Sequence, residues 1–61
     1  MNVGDLIRTK AYSNNTKKYS YGVIVSVLAP AFICVLMYGG IYKGRHLYLR
    51  GHDLVDTEVL G

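Results

Sequence analysis

The sequence predicts a small all-β barrel of five short strands, with a single helical turn before the last, and three observations point to it. The apolar residues of the central stretch are largely β-branched (Val23, Ile24, Val25, Val27, Ile33, Val35), which suits a pleated, half-buried surface better than a helix. Turn chemistry punctuates the chain at Ser13-Asn14-Asn15, Ala29-Pro30-Ala31, Gly39-Gly40 and Lys43-Gly44-Arg45. Between those breaks the runs are short, and His46-Leu47-Tyr48-Leu49-Arg50 alternates with the period of two that a strand requires.

Residues 3–10 open on a Gly4-Asp5 turn signal and continue as the first strand, in which Ile7 is the core candidate and Leu6 and Arg8 take the opposite parity. Residues 11–20 are polar and form the longest irregular segment, the kind of surface loop where binding concentrates. Residues 21–28 give the second strand, with Val23, Val25 and Val27 on one face and Ile24, Ser26 and Leu28 on the other. We assign the valine face to the interior. Gly22, at the start of that strand, leaves room for a bulge or a sharp bend. Residues 32–38 form a third strand that is apolar on both faces, and residues 46–50 a fourth with Leu47 and Leu49 inward. Gly51-His52-Asp53-Leu54 makes the helical turn, residues 55–60 the closing strand, and no linker divides the chain, so 1–61 reads as one domain.

This layout of five strands, a long first loop and a one-turn helix before the last strand resembles the SH3-like small barrels. Locally, Gly4, Asp5 and Gly22 resemble the opening of KOW-type barrels, in which Gly-Asp precedes one strand and a glycine the next. The ending, with Asp53-Leu54 leading into the final strand, is similar to short barrel proteins of tailed phages. The KOW resemblance implies binding to nucleic acid or to ribosomal and transcription proteins. The chain departs from it in carrying AYSNNTKKYS where the glycine-rich pattern would stand. Peptide-binding SH3 domains are a poorer match, since the chain has no tryptophan and its first loop is basic.

A 61-residue domain buries only about 60% of the surface that its unfolded chain exposes. The single cysteine, Cys34, excludes an intrachain disulfide, so stability has to come from an efficient core or from self-association. At 51% hydrophobic and 18% charged residues, the composition is opposite to that of a disordered chain. The net charge of +3 comes from Arg8, Lys10, Lys17, Lys18, Lys43, Arg45 and Arg50 against Asp5, Asp53, Asp56 and Glu58. All acids but Asp5 fall near the end of the chain, which leaves a basic body suited to anionic partners or simply an uneven surface. The start of the chain lacks a secretory pattern, and with a lone cysteine the expectation is a cytoplasmic protein.

The uncharged stretch from Tyr19 to Tyr42, flanked by cations, has the length and tyrosine placement of a single membrane span. The Ala29-Pro30-Ala31 break, the β-branched content and Gly39-Gly40 argue instead for two strands joined by a turn. No cofactor is implied. Cys34, His46, His52 and Asp53 are the plausible metal ligands, but their spacings match no four-ligand site, and nothing pairs Cys34 or a serine with a base. The chain is therefore read as a non-enzymatic interaction module.

Two surfaces follow. The third strand cannot bury Ile33, Val35 and Met37 together with Phe32, Cys34, Leu36 and Tyr38, so one set needs another cover. With the valines inside, Ile24, Leu28, Phe32, Cys34, Leu36 and Tyr38 form the expected interface of a homo-oligomer, or of a complex with another protein. The alternative is a nucleic-acid surface in which Lys17, Lys18, Tyr19, Tyr42, Lys43 and Arg45 combine cations for phosphates with rings for stacking bases.

Overall fold

The computed structural model describes residues 1–12 and 18–60, so the Ser13-Asn14-Asn15 turn and Lys17 lie outside the described residues. Five strands form: β1 (Leu6–Thr9), β2 (Ser20–Ala29), β3 (Phe32–Gly39), β4 (His46–Arg50) and β5 (Thr57–Leu60), with a 3-10 helix over Gly51–Asp56 before the last. They make one antiparallel sheet in the order β4-β3-β2-β1-β5. The all-β class, the number of strands and the helical turn are those the sequence predicts.

Only the 3-10 helix accompanies the sheet among the described residues, yet Ile7, Ile24, Ile33, Val35, Met37 and Leu49 form one cluster and are each no more than 2% exposed. A flat sheet would leave these side chains in water. Their burial therefore requires the sheet to curl until β1, β2, β3 and β4 face a common interior. The 3-10 helix bridges β4 and β5 across the seam and packs Leu54 against that interior. Truncating one such residue, Leu49→Ala for example, costs about 2–5 kcal/mol, a large part of the roughly 3–9 kcal/mol that a chain of this length commands.

The alternation expected of β4 is present, with Leu49 buried, Leu47 half-buried and His46, Tyr48 and Arg50 exposed. In β2 the expected facing is corrected. Gly22 and Ile24 line the interior, Val23 is half-buried, and Val25, Val27 and Leu28 are exposed. Both parities of β2 are apolar, so counting alone set the phase of Val23 and Ile24 the wrong way, and the register slips at Ile24/Ser26 and Val27/Ala29 break the alternation beyond them. Ile24 lies opposite Val35 on the inner face, whereas Ser26 lies opposite Cys34 on the outer one, so Val25 is an extra residue that reverses the parity after it.

The interior admits β2 closely because of Gly22. A Cβ there would stand 2.5 Å from Val35 Cγ1, 2.7 Å from Met37 Sδ and 3.0 Å from the Leu36 carbonyl oxygen. Next to this tight layer lies a row of hydroxyls, Thr57, Thr9 and Ser20, opposite one another across β5, β1 and β2 and all buried. The Ala11 N–H donates to Thr9 Oγ1 at 3.0 Å, the two threonine hydroxyls are 2.8 Å apart, and Thr57 Oγ1 is 2.9 Å from the Asp53 carbonyl. Each hydroxyl has one proton, so all groups are satisfied if Thr57 donates to Asp53 and Thr9 donates to Thr57. The relay fixes the start of the first loop to the end of the 3-10 helix.

Tyr19–Tyr42, the stretch with the length of a membrane span, carries β2 and β3. Among the described residues no helix is long and apolar enough to cross a membrane.

Candidate functional site

Side chains directly opposite in the ladders share a face, so the register assembles the outer surface from single residues. Leu60, Leu6, Val23, Leu36 and His46 lie opposite one another in succession, which draws an apolar row across all five strands. Leu6 is 46% exposed, and Val23, Leu36 and Leu60 are half-buried. On one side of this row stand Ser26, Cys34 and Tyr48, followed by Ala29, Phe32 and Arg50. On the other side stand Glu58, Arg8, Tyr21 and Gly39.

Of the residues expected at an oligomer interface, Phe32, Cys34, Leu36 and Tyr38 do lie on the outer face of β3. Phe32 and Leu36 are half-buried and Tyr38 is exposed. Cys34 is buried although it faces outward, between Ser26 and Tyr48 in the register and beside the Phe32–Tyr48 ring pair at 5.9 Å. Ile24 does not belong to this surface. It is 1% exposed in the core, because Gly22 and Ile24 rather than the valines face inward. Leu28 is exposed, but it sits at the slipped end of β2 beside the turn. Sequence reasoning missed Leu6, Val23 and Leu60. The parity of Leu6 against Ile7 was a usable signal, whereas the alignment of the three needs the register.

Of the second expected surface, Lys18, Tyr19, Tyr42, Lys43 and Arg45 are among the described residues. Tyr12, just after β1, donates its hydroxyl to the Tyr48 carbonyl at 2.8 Å, and Tyr42 donates its own to the Tyr12 carbonyl at 2.6 Å. The two rings pack edge to face with centroids 6.1 Å apart. This clasp requires left-handed backbone at Tyr12 (φ 64°) and ties the β3–β4 hairpin, with Lys43 and Arg45, to the start of the first loop. Gly40 (φ 95°) completes the approach, since a Cβ there would lie 2.7 Å from Ser20 Oγ. Lys18 and Tyr19, just before β2, thus stand at the same end of the barrel as Tyr42, Lys43 and Arg45, while Lys17 lies outside the described residues.

Two cations absent from the sequence expectation join this end: Arg8 Cζ lies 4.2 Å and Lys10 Nζ 5.0 Å from the centre of the Tyr19 ring. Arg8 also reaches Glu58 Oε2, opposite it on β5, at 2.7 Å through Nη2 and 3.0 Å through Nε. The bond to Glu58 raises the Arg8 pKa above its ordinary value against an opposing effect of desolvation, so Arg8 keeps its charge at any working pH.

No group of three or more metal-ligating side chains forms among the described residues. No protein-family model, curated protein or solved structure matches the chain.

Proposed function

We propose that the chain is a non-enzymatic interaction module of the cytoplasm that assembles with copies of itself through the outer face of the sheet. The carrying observation is the apolar row Leu60–Leu6–Val23–Leu36, flanked by Phe32, Cys34 and Tyr48 and covered by no other element among the described residues. A contiguous apolar surface on a small domain marks an interface more often than chance. A standard interface takes about 800 Å² from each partner, against the 4029 Å² that this chain exposes. A domain with so small a core gains stability by burying part of this surface. The accessory role implied by the resemblance to phage barrels is compatible with this reading. Light scattering after size exclusion tests it: the wild type is expected as an oligomer, and Leu6→Lys, which sets a charge into the exposed end of the row, as a monomer. A monomeric wild type at high concentration would end the reading.

The Tyr12–Tyr42 clasp favours a second reading, a surface for single-stranded nucleic acid at the loop end. It fixes Tyr42, Lys43 and Arg45 at the end of the barrel where β2 begins, with Lys18 and Tyr19 just before that strand and Arg8 and Lys10 against the Tyr19 ring. Affinity for a single-stranded oligonucleotide is then expected to fall with salt, and a Lys43→Ala, Arg45→Ala variant to show a shallower slope. No binding at low salt would eliminate it.

A further inference from the structure

We infer that the assembly, if it forms as proposed above, is a two-fold dimer in which the free edge of β5 pairs antiparallel with β5 of a second copy. The inference starts from which backbone groups each edge leaves open. The Lys10 N–H donates to the Asp56 carbonyl at 3.0 Å, one step beyond the Thr9–Thr57 pair. The alternation of antiparallel ladders then directs the backbone groups of Glu58 and Leu60 toward β1 and those of Thr57 and Val59 away from it. The Thr57 N–H, bonded to the Leu54 carbonyl, agrees with this phase. Both groups of Val59 therefore face outward, and among the described residues nothing meets them.

The other edges are partly guarded. On β4 the Met37 N–H to Arg45 carbonyl bond sets the phase, which turns His46, Tyr48 and Arg50 outward. The Tyr12 hydroxyl occupies the Tyr48 carbonyl, and Asp53 Oδ2 lies 3.4 Å from the Arg50 N–H. Beyond Ile24, β2 has β3 on one side and no strand on the other, but this stretch carries two register slips and ends at Pro30. Bulges, prolines and side-chain caps are the devices by which edge strands avoid pairing. Thr57–Leu60 has none of them and no lysine.

The occupant is a second copy because the open edge complements itself. Under a two-fold axis at Val59, its N–H donates to the Val59 carbonyl of the second copy and the reverse bond forms by symmetry. Two main-chain bonds on a four-residue strand are too few to hold a flexible peptide. A second copy adds what a peptide lacks, because Leu60 and Leu6 stand at this edge of the outer face, and across a two-fold ladder Leu60 becomes a diagonal neighbour of its own counterpart. Glu58 of the second copy stands directly opposite Leu60 in this register, so the apolar rows of the two copies meet diagonally.

The test compares the wild type with Val59→Pro. Because the Val59 N–H points away from β1, proline removes the outward donor and spares the β1–β5 ladder. A dimer that becomes a monomer with an unchanged circular dichroism spectrum supports the inference. A wild-type monomer overturns both this inference and the proposed function, whereas a Val59→Pro dimer overturns the inference alone. Should the variant not fold, amide exchange of the wild type decides: Val59 is expected to be protected at high concentration and to lose protection on dilution. Protection that survives in the dilute monomer, or that arises only on adding an unrelated extended peptide, overturns the second-copy assignment.

Discussion

Replacing Gly22 by alanine probes the tightest point of the barrel. The added methyl would stand 2.5 Å from Val35 Cγ1 and 2.7 Å from Met37 Sδ, both buried, and 3.0 Å from the Leu36 carbonyl. The methionine can turn aside, but Val35 is stiff and the carbonyl belongs to the β2–β3 ladder. Overpacking of this kind costs about 2–3 kcal/mol, and the smaller entropy loss of alanine returns about 0.5–1 kcal/mol. The net loss of about 1–2.5 kcal/mol translates, at about 8 °C per kcal/mol for a domain of this size, into a fall in Tm of roughly 8–20 °C. Thermal denaturation followed by circular dichroism measures it. Gly39→Ala is the control, because its Cβ would meet nothing closer than Tyr21 Cβ at 3.5 Å, and its Tm is expected to hold or rise. Trimming Val35 to alanine in the Gly22→Ala background should recover part of the loss through a non-additive coupling. A Gly22→Ala variant as stable as the wild type would refute the packing argument.

The buried hydroxyl relay predicts that Thr57→Val, nearly isosteric, costs about 1–3 kcal/mol in urea unfolding, because Thr9 and the Asp53 carbonyl lose their partner inside the fold. Tyr12→Phe removes one bond to a main-chain acceptor, so equilibrium unfolding should register a loss of only about 0.5–1.5 kcal/mol. Its larger effect should be on the β4 edge, seen as added concentration-dependent association in sedimentation velocity. Glu58→Gln leaves Arg8 over the Tyr19 ring, and at this exposed site the small loss of stability should vanish in high salt, as urea unfolding at two ionic strengths would show.

What the sequence disclosed about this fold follows from where its alternation is unbroken. In β4 and around Ile7 the period of two runs without interruption, so inward and outward residues were readable from the letters alone. In β2 the same count misassigned Val23 and Ile24 because both parities are apolar, and the two slips beyond Ile24 leave no mark that distinguishes them from regular pairing. Gly22 was legible as a special position, but not that it clears space for Val35 and Met37, which lie far along the chain. The outer face of β3 was foreseen from its excess of apolar residues. The row through Leu60, Leu6, Val23 and Leu36 was hidden, since it exists only once three ladders are set in register. The meeting of the two basic segments was equally hidden, because it depends on a tyrosine with left-handed backbone and on two carbonyl acceptors.

Those acceptors have a consequence for how the sequence can drift. Neither hydroxyl of the tyrosine clasp recognises another side chain: Tyr12 addresses the backbone of residue 48, and Tyr42 addresses the backbone of residue 12. Position 48 can therefore change its side chain, and with it the chemistry of the outer face, while still presenting the same oxygen. The clasp constrains two hydroxyls and one unusual backbone angle, and it leaves the neighbouring surface open to variation. A lineage of such barrels could remake the surface at residue 48 without redesigning the joint between Tyr12 and the β3–β4 hairpin.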